Sequence, residues 1–289
     1  MAVDTAGLMG AVVQSNKVEL DRLAAKGWPV SPELGNARYD VAVVQIARSK
    51  AWTRHMIAQA CDIADLVIVD GQKTDGIESH FKALRKTTSV LGSVTKAHGR
   101  VLWFGSVDLS DWKSGPLKPT PGFTTCAGIF SAEKVDGGSR ALCDVLPDKL
   151  GPKVLDLGAG WGFLSKAILE RDGVQALDCV EVDHRAVGCC KENLDDPRAQ
   201  VHWADATSWT GQYDDVVMNP PFHIGRDATP DLGKSFIAAA GRCLKKSGTL
   251  WMVANRHLPY EADLKASFRD VEELPGTAGF KVLRACFPR

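Results

Sequence analysis

Between residues 154 and 254 short apolar runs alternate with segments of helical period, and few folds accept that order. Residues 154–157, 176–182, 201–203, 213–218 and 249–254 read as strands, and residues 163–170, 185–194, 232–244 and 260–268 as helices. The order predicts an α/β fold with a parallel, doubly wound sheet, helices on both faces, and a closing antiparallel hairpin of residues 271–274 and 280–287. On such sheets ligands bind beyond the carboxyl ends of the strands, so chemistry is sought in the loops that follow them.

The first half repeats this grammar more faintly. Residues 41–46, 66–69 and 101–104 read as strands, with helices at 51–61 and 77–84 between them. The stretch SGPLKPTPGFTTCAGIF, rich in Pro, Gly and Thr, interrupts the pattern. The expected division is a first domain at 1–112, a linker at 113–125 and a second domain at 126–289.

Composition removes several classes of function. With 35 basic and 35 acidic residues the chain is no polyelectrolyte, and any nucleic-acid contact must come from local patches. The eight cysteines form no paired C-x-x-C set, so no metal site is expected, and they fit a reduced, cytoplasmic setting. No run approaches the length of a membrane span, and the first residues lack a basic start followed by a long apolar stretch.

The loops carry the chemistry. After the first strand of the second half comes Asp156-Leu157-Gly158-Ala159-Gly160-Trp161-Gly162, where Gly158, Gly160 and Gly162 allow a sharp turn and a close approach to a ligand. It has neither the spacing of a dinucleotide fingerprint nor the ending of a phosphate loop. About twenty residues on lies Val180-Glu181-Val182-Asp183; Glu181 stands where an acid takes ribose hydroxyls, and Asp183 where it caps the next helix. Ala204-Asp205-Ala206 follows the third strand and offers a carboxylate to an adenine amino group. The fourth strand ends at Asn219-Pro220-Pro221-Phe222. Its prolines stop the ladder and rigidify the turn, so the Asn219 amide oxygen and the Pro220 carbonyl can both accept from one planar amino group while Phe222 stacks on its ring. A strand-ending turn with an apolar plug would need the same residues. The pairs Lys245-Lys246 and Arg256-His257 are further candidates, for phosphates.

DLGAGWG, VEVD, ADA and NPPF stand in the order and spacing of class I S-adenosylmethionine-dependent methyltransferases that act on exocyclic or amide nitrogens. With NPPFHIG, VANRHLPYEADLKASF, GFKVLRACF and CAGIFSAEKVDGGSRALCDVLP, the chain resembles the ribosomal RNA small subunit methyltransferase C group of guanine-N(2) methyltransferases. That resemblance implies two tandem Rossmann-like domains in one pseudo-dimeric monomer. The first would be degenerate and guide or brace RNA, with VDGQKTDGIESHF as a relic; the second would be catalytic. It implies S-adenosylmethionine as cofactor, held by Asp156, Gly158, Gly160, Gly162, Glu181, Val182, Asp205, Ala206 and Asn219, and Asn219, Pro220 and Phe222 as catalytic residues. The partner would be ribosomal RNA or the small ribosomal subunit. NPPF is shared with enzymes that methylate adenine amino groups or a protein glutamine, and a catalytically idle RNA-binding module is the other class of reading.

Overall fold

The computed structural model describes residues 10–221, 223, 224, 227, 228 and 230–289, the side chains of 223, 224, 227, 228 and 230 excepted. The chain divides into a larger unit, formed by residues up to 34, 118–125 and 129–289, and a smaller one, formed by 35–117 and 126–128. This differs from the linear division at 112 and 125, because the leading segment and the stretch at 118–125 pack with the second half.

The leading segment contains β1 (Val12–Val13), α1 (Lys17–Ala24) and β2 (Val30–Ser31), with β1 and β2 paired in parallel. Asn16 starts α1, its side chain accepting from the Glu19 N–H at 3.2 Å. Hydrogen bonds fasten this segment inside the larger unit: Lys17 N–H to the Val182 carbonyl (2.9 Å), His184 N–H to the Ser15 carbonyl (2.8 Å), and the Trp203 indole N–H to the Ser15 carbonyl (3.2 Å), the same indole also donating to the Val182 carbonyl at 2.8 Å.

The smaller unit runs through β3 (Tyr39–Gln45), α2 (Lys50–Ile63), β4 (Ala64–Gln72), α3 (Ile77–Thr87), β5 (Val90–Lys96) and β6 (Gly99–Gly105). Its sheet order is β3-β4-β6-β5, with β3 and β4 parallel and the other neighbours antiparallel. Ile57 and Cys61 of α2 and Ile77 and Leu84 of α3 share one core with Val67, Val69, Leu102 and Phe104, so both helices cover the same face. On the strands, Val41, Val43 and Val94 are 43, 68 and 57% exposed. Winding on both faces is thus a property of the larger unit, among the described residues.

That unit continues with α4 (Gly137–Val145), β7 (Lys153–Leu157), α5 (Phe163–Leu169), β8 (Ala176–Glu181), α6 (His184–Asn193), β9 (Ala199–Trp203), β10 (Tyr213–Met218), β11 (His223–Ile224), β12 (Asp227–Ala228), α7 (Pro230–Cys243), β13 (Leu244–Asn255), α8 (Glu261–Ser267), β14 (Phe268–Leu274) and β15 (Phe280–Pro288). Seven strands form one sheet in the order β14-β15-β13-β10-β7-β8-β9. β15 pairs antiparallel with both β13 and β14, and the remaining pairings are parallel.

Side-chain parity divides the core in two. Leu155, Leu157, Val216, Met218, Leu250 and Met252 pack with α7 and α8 on one face, while Val154, Val217, Trp251 and Val253 pack with residues of α4, α5 and α6 on the other. Burial on both faces explains why these strands read as nearly unbroken apolar runs. No helix among the described residues is long and apolar enough to cross a membrane.

Candidate active site

The loops after β7, β8, β9 and β10 leave one edge of the sheet. Because the strand order is β10-β7-β8-β9, the glycine loop stands between the Asn-Pro-Pro turn and Glu181, each about 4.8 Å, one strand spacing, to its side.

The glycine loop has Gly158, Gly160 and Gly162 at φ of 87°, 57° and 90°, in the left-handed region that a Cβ disfavours. Its frame is the next strand: the N–H groups of Gly158 and Ala159 both donate to the Val180 carbonyl, at 2.9 and 3.0 Å. A Cβ built on Gly162 would come within 3.1 Å of Cys190 Sγ, whereas one built on Gly160 would meet nothing within 4 Å. Gly162 is therefore a packing glycine, and Gly160 faces open space.

Glu181 ties this loop to the following turn. Its Oε2 accepts from Gly160 N–H, and its Oε1 accepts from the N–H groups of Val182 and Asp183, each at 2.8 Å. Burial raises its pKa, while the N–H donors of Asp183 and Gly160 pull it down. Oε2 keeps a lone pair free for a hydroxyl donor. Asp183 caps α6 as expected, its Oδ1 accepting from Arg185 N–H at 3.0 Å.

Asp156 is fully buried at the root of the loop. Its Oδ2 accepts from the Ser165 hydroxyl at 2.5 Å, and its Oδ1 has no partner among the described residues. Burial, with the nearby charge of Glu181 adding to it and the Ser165 bond opposing, pushes its pKa up to about 7. Asp205 caps a short turn, accepting from Thr207 N–H (2.8 Å) and the Thr207 hydroxyl (2.7 Å), and Ala206 beside it is buried. Val182 lends its carbonyl to Lys17 and Trp203, as above.

At the end of β10 the Asn219 amide is held from behind. Its Nδ2 donates to Asp136 Oδ2 and to Ser139 Oγ, both at 2.9 Å. Asp136 is also the cap of α4, its Oδ2 accepting from Ser139 N–H at 2.8 Å. With both amide hydrogens used, Asn219 Oδ1 remains as the acceptor. Pro220 is buried, and Phe222 lies outside the described residues. The sequence reading missed Asp136 and Ser139, although Asp136-Gly137-Gly138-Ser139 carries a helix-start signal. It also missed Asn193, which clasps the glycine loop by donating to the Trp161 carbonyl (2.8 Å) while exchanging bonds with Thr124 N–H (2.7 Å) and carbonyl (2.8 Å). Of the cations considered for phosphates, Lys245 pairs with Asp214, and Arg256 is held by Glu273 and the carbonyls of Thr277 and Phe280.

The family model of the methyltransferase small domain matches residues 121–284, the span that builds this edge. The chain belongs to that family. Among curated relatives, this methyltransferase is similar to the ribosomal RNA small subunit methyltransferase C of Shewanella sp. strain MR-4, at 31% identity over 249 residues, covering 80% of this chain and 72% of the relative. It is 30% identical to the protein of the same name from Shewanella loihica, over 262 residues covering 84 and 76%. Among solved structures, the T. thermophilus 16S rRNA N2 G1207 methyltransferase in complex with AdoMet and guanosine superposes with a TM-score of 0.81 at 25% identity, covering 96% of this chain and 82% of that one.

The site of the methyltransferase fits S-adenosylmethionine on its own terms. Gly160 leaves a cradle that a Cβ would fill, and the acids Glu181 and Asp205 lie at the same edge, suited to a cationic ligand rich in hydroxyl and amino donors, with Asp156 buried beneath the loop.

Proposed function

We propose that this chain transfers a methyl group from S-adenosylmethionine to the exocyclic 2-amino group of a guanine in small-subunit ribosomal RNA. The observation that carries the reading is the oriented Asn219 amide, whose two hydrogens are taken by Asp136 and Ser139 so that Oδ1 is left to accept. The named activities of its relatives supply the substrate class. The glycine loop, Glu181, Val182, Asp205 and Ala206 would hold the cofactor, whose electrophilic methyl is the chemistry it supplies.

The chain's own work is positioning. A guanine 2-amino lone pair is delocalised into its ring; accepting an N–H with Asn219 Oδ1, and another with the Pro220 carbonyl, draws the hydrogens from the ring plane and frees the pair. Bound S-adenosylmethionine would supply the methyl carbon for that lone pair and depart as S-adenosylhomocysteine, and the surplus proton on the amine would leave to water. Acceptors fixed before the reaction stabilise the positive charge that develops on nitrogen, and no strong base is required.

The smaller unit we read as a degenerate counterpart of the larger, within a pseudo-dimeric monomer, that guides or braces RNA. What supports this is its parallel β3–α2–β4 crossover and the lack, in sequence, of both a DLGAGWG-like loop and an Asn-Pro-Pro turn. Incubation with unmodified small-subunit rRNA or small subunits and labelled cofactor, followed by nucleoside mass spectrometry, tests the reaction: N2-methylguanosine is expected. Label in adenosine or protein alone would overturn it.

A further inference from the structure

We propose that Phe130 is a wall of the substrate pocket, its ring stacking on the target guanine beside Asn219. The inference rests on the guanine-methylation reading above. The segment from 130 to 139 connects both sides of the candidate site. At one end the Phe130 carbonyl accepts from the indole N–H of Trp161, within the glycine loop, at 3.1 Å. At the other, Asp136 and Ser139 hold the Asn219 amide. Phe130 therefore lies on the strip of chain between the cofactor cradle and the amine acceptor.

Its own conformation is unusual for an apolar residue. Ile129 and Ala132 are buried, at 7 and 8% exposure, yet Phe130 is 57% exposed. The turn that puts it there is strained and pinned: Ser131 sits at φ 48°, and the Thr125 hydroxyl donates to the Ala132 carbonyl at 2.6 Å. A left-handed serine that follows an exposed phenylalanine, on the segment that ties the glycine loop to Asn219, is what a base-stacking contact requires, because the ring must stay uncovered until the ligand arrives. The matching ligand is a planar aromatic base, which an extruded guanine supplies and to which a phenyl face gives sequence-tolerant stacking.

The test uses the full chain, unmodified small-subunit rRNA offered both as transcript and as small subunits, and three variants: Phe130→Ala, Phe130→Leu and Phe130→Trp. Stacking worth that of other base–aromatic contacts makes Phe130→Ala raise the KM for RNA about tenfold or more, with S-adenosylmethionine affinity by calorimetry and the melting temperature unchanged. Phe130→Trp is expected to restore the KM, and Phe130→Leu not to. An unchanged KM in Phe130→Ala overturns the proposal. So does a parallel loss of cofactor affinity, which would place the ring on the cofactor, or full rescue by leucine, which would make it an apolar filler. A wild-type chain that leaves guanine unmethylated in both RNA forms overturns the reaction itself and this role with it, whereas an active wild type with an indifferent Phe130→Ala overturns the role alone.

Discussion

Asn219 acts through direction rather than acidity. An amide with its hydrogens engaged by Asp136 and Ser139 cannot rotate without breaking two bonds, so its oxygen is a fixed acceptor. Asn219→Ala is accordingly expected to lower kcat by about two orders of magnitude with little change in cofactor or RNA affinity, comparable to removing one preorganised hydrogen-bonding group. Asp136→Ala leaves the oxygen in place but loosens it, and a smaller fall in kcat should follow; single-turnover methylation on both variants checks the ranking. Asp156 makes a different prediction, about pH. Its folded pKa of about 7 exceeds that of an ordinary carboxylate, so between about pH 4 and 7 the unfolded chain loses this proton while the folded chain keeps it. Folded stability from this group therefore falls as pH rises through that window and levels off above it. In urea titrations across the window, Asp156→Asn should gain on the wild type as pH rises from 4.5 to 7.5; a constant offset would show that Asp156 titrates normally.

Elements differ in how plainly the sequence announces them, and the reason is where their partners lie. The strands of the large sheet could be read because burial on both faces makes them apolar almost throughout, and the glycine loop because φ values near 57–90° demand glycine at those positions. Helix α4 could not. It opens with two glycines, poor helix formers, and the ring of Phe280 packs against both: a Cβ on Gly137 or Gly138 would come within 3.1 or 3.0 Å of a Phe280 ring carbon. The leading β1–α1–β2 segment hides its place for a like reason, since its bonds go to Val182, His184 and Trp203, far along the chain. Strand β5 was hidden by Gly92, which is needed because the Trp103 ring lies over it, 2.3 Å from where a Cβ would stand. Asn193 shows what such distant ties contribute. Its amide joins residue 124 to residue 161, and Asn193→Ala would leave the Thr124 N–H and two carbonyls without partners. A loss of roughly 2–4 kcal/mol in unfolding free energy is expected, measurable by chemical denaturation, together with weaker cofactor binding as the glycine loop loosens.

At the scale of the whole molecule, the larger unit draws its sequence from before and after the smaller one, which is nearly continuous in sequence. A chain cut to begin at residue 118 would keep the glycine loop and Asn219 but lose the brace from Ser15 and Lys17 on the Glu181–His184 turn. That truncated form should bind S-adenosylmethionine more weakly than a version in which residues 35–117 are replaced by a flexible linker and residues 10–34 are retained. Calorimetry on the pair decides, and equal affinities would show that the brace is idle. In methylation assays the linker version should retain cofactor affinity yet use RNA poorly, if the smaller unit guides substrate.

The placement of β15 also fixes an order of events during synthesis. This strand, residues 280–288, lies between β13 and β14, so the large sheet cannot close until those residues have left the ribosome. The first 34 residues meanwhile wait for the turn around Val182 to be made. Residues 35–117 need almost no such wait, since the four strands and two helices of the smaller unit are contiguous and only residues 126–128 join them from later in the chain. At ordinary translation rates they have roughly ten to thirty seconds to fold before the catalytic sheet is complete. The body proposed to guide RNA is thus finished first, and the nascent chain carries it ready-made while its chemistry is still being built.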